Sequence, residues 1–127
     1  MTTTDRFDAP VLRAGELEVR PKEGLVLAGG RAVAASVREF HLLTALIRAQ
    51  GTVVSRSDLY AAVWDRPLRE GDRSIDVYVH KLRVKLEAAL PAWRFIHTHV
   101  GFGYRFFPEP SHAVHTTIRR RAHTARR

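Results

Sequence analysis

The strongest periodic pattern in the chain lies in residues 73–87, where Ile75, Val79, Leu82 and Leu86 recur at i, i+4, i+7 and i+11. That spacing puts four aliphatic side chains on one stripe of a helix and predicts that the stripe faces a core. Its opposite side carries Arg73, Ser74, Val77, His80, Lys81 and Val84, a mixture of cations, a hydroxyl and isolated methyl groups. Upstream, residues 36–39 have the form of a capping box, Ser-Val-Arg-Glu. Phe40, Leu43, Leu46 and Ile47 follow on one helical face that Gly51 terminates. Ser55, with Asp58 three residues later, caps a shorter second helix whose buried side is Leu59, Val63 and Trp64. The polar segment 65–71 contains Pro67 and Gly71 and reads as a loop. It leads to Asp72 as the N-cap of the long helix, which Pro91 ends.

Elsewhere the pattern shortens to strands. Leu17-Glu18-Val19, Leu25-Val26-Leu27 and Arg31-Ala32-Val33 are separated by the turn-forming segments 21–24 and 28–30, which predicts a small antiparallel sheet of three strands. Thr52-Val53-Val54 reads as a connector. Phe95 to Val100 has the composition of a strand, Gly101-Phe102-Gly103 is a tight turn, and Tyr104-Arg105-Phe106-Phe107 returns as a second strand. A leading sheet, three helices and a terminal hairpin in this order describe an α+β winged helix-turn-helix over residues 11–108. Residues 1–10 read as a flexible lead-in and 109–127 as a basic disordered tail.

Composition narrows the partner. With 127 residues the chain holds one domain, and its 45% apolar and 27% charged content is that of a globular protein. No apolar run approaches the roughly 20 residues of a membrane span, no secretory h-region is present, and there is no cysteine, so a cytoplasmic address is expected. The net charge of +8 suggests a polyanion, but five arginines lie beyond Glu109, leaving sixteen basic against thirteen acidic residues before them. Placement therefore decides more than the sum. The outer face of the long helix is what a DNA major groove receives, because base edges there offer acceptors, donors and thymine methyls. Val77 and Val84 gain nothing from water on that face, whereas Lys81 can donate to guanine or phosphate.

The residues also carry a family resemblance. Glu39-Phe40 with Leu42-Leu43, residues 51–56, Leu59 with Val63-Trp64, residues 73–77, residues 82–87 and residues 101–106 closely resemble the effector domain of OmpR/PhoB-type response regulators. The resemblance spans roughly residues 12–107 and implies a cytoplasmic, nucleoid-associated transcriptional regulator of duplex DNA. By that resemblance Ser74, Val77 and Lys81 face the major groove, with Tyr78 at its border either packing its ring inward or reaching the DNA. Arg56, Arg73, His80, Arg83 and Lys85 are assigned to the backbone or flanking contacts. The wing is His99, Gly101, Phe102, Gly103 and Arg105. Similar proteins usually carry arginines where this chain has Lys81 and Val100, which leaves His99 and Arg105 as the nearest replacements in the wing. Residues Asp65, Arg66, Arg69 and Glu70 match the loop that faces RNA polymerase in similar proteins, and such proteins bind tandem half-sites as head-to-tail dimers. The resemblance includes no receiver domain, so the chain reads as a free-standing effector or a fragment.

Two expectations concern side chains inside this frame: Asp76 is a structural carboxylate paired with a neighbouring cation, and Arg83 forms a weak surface pair with Glu87. His97 and His99 share a strand face, but without cysteine or an acidic partner no metal site is expected, and no cofactor. No nucleophile elbow, carboxylate pair or phosphate loop is present, so the chain is read as a non-enzyme. Two other readings remain: a winged-helix protein-interaction module, and a non-specific nucleic-acid binder acting through its tail.

Overall fold

Alternation in the N-terminal third produces a four-stranded antiparallel sheet in the computed structural model, which describes residues 11–111. Strands β1 (Leu12–Ala14), β2 (Leu17–Arg20), β3 (Leu25–Ala28) and β4 (Arg31–Ala32) pair in that order. The register sets Leu17 opposite Ala28 and Val19 opposite Val26, so four buried side chains share one face. β1 is one strand more than the sequence predicts, because three residues are too few to display an alternation. A single 3-10 turn at Pro21–Glu23 links β2 to β3 and closes on Gly24 at φ +61°.

Helix α1 (Val37–Arg48) opens with the expected capping box: the Glu39 amide donates to Ser36 Oγ at 3.2 Å, and the Ser36 amide donates to Glu39 Oε1 at 2.8 Å. Helix α2 (Arg56–Trp64) is capped by Ser55 Oγ, which accepts from the Asp58 amide at 3.1 Å. It buries Leu59, Tyr60 and Val63, while Trp64 is only half-buried. Helix α3 (Ser74–Ala89) is the predicted long helix, and Ile75, Val79, Leu82 and Leu86 are all buried. Burying each such side chain stabilises the fold by roughly 1.5–3 kcal/mol. One detail is corrected. Arg73, not Asp72, occupies the N-cap position and makes no side-chain cap bond. Asp72 acts from one residue further out, accepting from the Ser74 amide at 2.8 Å and the Ser74 hydroxyl at 2.6 Å. Those two bonds hold the Asp72 carboxyl below its ordinary pKa.

The C-terminal hairpin is longer than predicted and belongs to a three-stranded sheet. β6 (Trp93–His99) and β7 (Gly103–Pro110) pair antiparallel, and β5 (Val53–Val54) adds to the other edge of β7, giving the order β5-β7-β6. A two-residue strand leaves no periodic trace, which is why 52–54 reads as a connector. Gly103, at φ +145°, makes this closure feasible: a Cβ there would lie 2.0 Å from the Val54 carbonyl oxygen. The sheet also runs past the boundary expected at residue 108. Pro110 lies in β7, and the buried Ser111 donates its amide to the Ala92 carbonyl at 2.8 Å. The lead-in and the arginine-rich part of the tail lie outside the described residues. No helix among the described residues is long and apolar enough to cross a membrane.

Candidate nucleic-acid interface

With its apolar stripe fixed against the core, α3 turns the other side to solvent. Val77 and Val84 are 49% and 54% exposed, His80 and Lys81 are exposed on the same side, and the Arg73 side chain at the helix start is 76% exposed. Ser74 is half-buried, its hydroxyl donated to Asp72. Tyr78 is half-buried with its ring edge-on to Trp64, at 5.7 Å between centroids and 61° between planes. Of the two roles open to it in the sequence, ring packing is the one the geometry displays.

The start of α3 is bound to its surroundings through Asp76. Its carboxylate accepts from Arg56 Nε at 3.2 Å, Arg56 Nη2 at 3.1 Å and the Tyr104 hydroxyl at 2.6 Å, and the Arg73 guanidinium stands 3.7 Å away. Partial burial pushes the Asp76 carboxyl up, but the bonds from Tyr104 and Arg56 and the two positive charges outweigh it and hold the pKa below the ordinary value. Burial and the same bond raise the Tyr104 hydroxyl to about 12. Asp76 is thus the structural carboxylate the sequence suggests, with a partner, Tyr104, that lies 28 residues away.

Several cations expected on DNA are committed inside the fold. Lys85 is a correction: its ammonium donates to the buried Glu39 carboxylate at 2.6 Å and to the Ala34 carbonyl at 2.9 Å, which ties α3 to the start of α1. Burial pushes the Glu39 carboxyl up, and the bonds from Lys85 and Ser36 pull it below its ordinary value. Arg83 is a second correction. It does not pair with Glu87; it donates from Nε and Nη2 to the Ile96 carbonyl, both at 3.1 Å, and from Nη2 to Thr98 Oγ1. Its guanidinium also lies 5.6 Å from the Tyr104 ring centroid. Arg56 holds Asp76 and donates to the Asp72 carbonyl at 3.0 Å. These residues position the helix and the wing, while Arg73, His80 and Lys81 remain turned to solvent.

At the wing tip Gly101 adopts φ +83°, the Phe102 amide closes on the His99 carbonyl at 2.9 Å, and Val100 and Phe102 are 87% and 76% exposed. The two candidate wing contacts face each other: Arg105 Nε donates to His99 Nε2 at 3.2 Å, and the Arg105 guanidinium lies 5.3 Å from the Phe107 ring. His97 bonds to the Phe107 carbonyl and stands 3.5 Å from Glu109, and no three His, Cys, Asp or Glu side chains converge among the described residues. Between wing and helices runs an open cleft of about 520 Å³ lined by Ser55, Arg56, Ser57, Arg73 and residues 98–104. In the loop between α2 and α3, Asp65, Arg66, Arg69 and Glu70 are exposed. Asp65 adopts φ +57°, and Arg66 donates to the Tyr60 hydroxyl at 3.1 and 3.3 Å.

Comparison with known proteins places this architecture. A family model described as "Transcriptional regulatory protein, C terminal" matches residues 30–106. The transcriptional regulatory protein CreB of Escherichia coli K12 is 34% identical over 96 residues, 76% of this chain and 42% of CreB. The transcriptional regulatory protein TcrA of Mycobacterium tuberculosis H37Rv is 35% identical over 96 residues, 76% of this chain and 38% of TcrA. The chain therefore spans about two fifths of the length of these relatives. Among solved structures, the DNA-binding domain of CpxR from E. coli superposes with a TM-score of 0.71 at 30% identity, covering 77% of this chain and 96% of that one. The Klebsiella pneumoniae RstA DNA-binding domain, solved in complex with the RstA box, gives 0.70 at 30% identity, covering 78% and 98%.

Proposed function

The chain belongs to the family of C-terminal transcriptional regulatory domains, the winged-helix effector domains of OmpR/PhoB-type regulators, and from that membership we propose that it binds double-stranded DNA sequence-specifically. The observation that carries the reading is the outer face of α3, where Val77, His80, Lys81 and Val84 are exposed together on one side. α3 enters the major groove. Val77 and Val84 meet thymine methyls there, and Lys81 donates to guanine O6 or N7. Arg73, at the helix start and beside the cleft, takes a phosphate and sets register without reading sequence. The wing tip, with Val100 and Phe102 in place of a cation, lies against sugar and backbone at the adjacent minor groove, so the helix carries most of the specificity.

By the same family reading, the protein occupies tandem half-sites as a head-to-tail pair, and the exposed loop 65–71 faces RNA polymerase. The test is selection of binding sequences from a random duplex pool with the full chain at two salt concentrations. A recurrent motif is expected. Lys81→Ala then relaxes preference at one or two base pairs, whereas Arg73→Ala weakens all sequences alike and lowers the salt slope by about 1. A pool from which no motif emerges overturns the reading and favours the interaction module or the tail-driven binder.

A further inference from the structure

We infer that Tyr78 is a positioning residue for base readout: its ring holds the Lys81 ammonium on the groove face of α3 and so confers selectivity on a cation that lacks it. The inference rests on the DNA-reading role proposed above.

A lysine is a compact point charge on a flexible stem, and such a charge is satisfied by a phosphate as readily as by a guanine edge. An arginine fork imposes its own geometry, whereas a lysine must have its geometry imposed from outside. Here Lys81 Nζ lies 5.0 Å from the ring centroid of Tyr78, one helical turn earlier, within the range in which the π-face attracts a cation. The ring is itself immobilised. It stands edge-on to Trp64, and Trp64 stacks on Tyr60 at 4.5 Å and 9° between planes. Tyr60 is buried and its hydroxyl accepts both hydrogen bonds from Arg66, while the Arg38 guanidinium lies 4.5 Å from the Trp64 centroid. A ladder of rings thus runs from the core out to the one lysine on the reading face. Ordering Lys81 before DNA arrives removes part of the entropic cost of ordering it at the base edge.

The experiment uses the full chain and the duplex that selection returns, together with its single-base-pair variants. Lys81→Ala flattens the preference at its base pair about tenfold. Tyr78→Leu flattens the same position about fivefold and leaves the others unchanged. Tyr78→Phe keeps the π-face and retains the preference, and adding Tyr78→Leu to Lys81→Ala changes nothing further. Uniform weakening of all sequences by Tyr78→Leu overturns the inference. So does weakening by Tyr78→Phe, which would place the hydroxyl on a phosphate. A measurement on the wild type guards against a variant that fails to fold: the ε-methylene protons of Lys81 are displaced upfield by the ring current of Tyr78, and unshifted resonances overturn the inference. A selected motif with unshifted Lys81 resonances sinks this inference alone, whereas the absence of any motif sinks the DNA-reading role with it.

Discussion

Asp76 shows how one side chain joins α3 to the wing. Its carboxylate accepts two bonds from Arg56 of α2 and one from the Tyr104 hydroxyl of β7, and all three are stronger to the ionised form. With the folded pKa below the ordinary carboxylate value of about 4, the stabilisation is fully present above that value. It is lost as the pH falls through the folded pKa. Asp76→Asn should therefore lower stability near neutral pH by about 1–2 kcal/mol and make the decline as the pH falls below about 4 shallower than in the wild type. Thermal unfolding across that range checks it, and an acid limb of unchanged steepness would contradict it. That Asp76 is structural was legible from its place at the edge of the apolar stripe. The identity of its partners was not, because Arg56 and Tyr104 lie 20 and 28 residues away and no local spacing encodes them. The same limit explains Lys85, expected at the DNA backbone, and Arg83, expected to pair with Glu87, which are held by Glu39 and by β6.

At the scale of elements, the helices were legible because their signals are local: an i, i+4 stripe for α3, a capping box for α1, a serine cap for α2. The short strands β1 and β5 were not, since pairing across the chain makes them strands and their own sequence does not. The consequential element contact is that of α3 with β6, where Arg83 donates to the Ile96 carbonyl and Thr98. Arg83 reaches no DNA in this account, yet it sets where the wing stands. Arg83→Ala should cost about 2 kcal/mol and speed amide exchange in residues 96–104 more than in α1. On DNA it should weaken every sequence to a similar degree. A loss of preference confined to one base pair, with wing exchange unchanged, would instead make Arg83 a base-reading residue.

For the whole molecule, the formal charge of +8 is a weak guide to the proposed DNA-binding face, because much of it lies in residues 112–127 and several cations of the folded body are paired within it. What remains is an arrangement rather than a sum: exposed Arg73, His80 and Lys81 beside the two valines of α3, with the wing tip across an open cleft. The winged-helix order of elements and the family were both legible in the sequence, since several motifs stand at fixed separations over nearly the whole foldable length. The division of cations between scaffold and reading face needed the structure. That division is tested most directly by mapping amide chemical-shift changes in the full chain as the selected duplex is added. Changes concentrated on Arg73, Val77, His80, Lys81 and Val84 and on residues 100–102 are predicted, with Lys85 and the leading sheet little affected. Changes confined to residues 112–127, or centred on the leading sheet, would contradict the account.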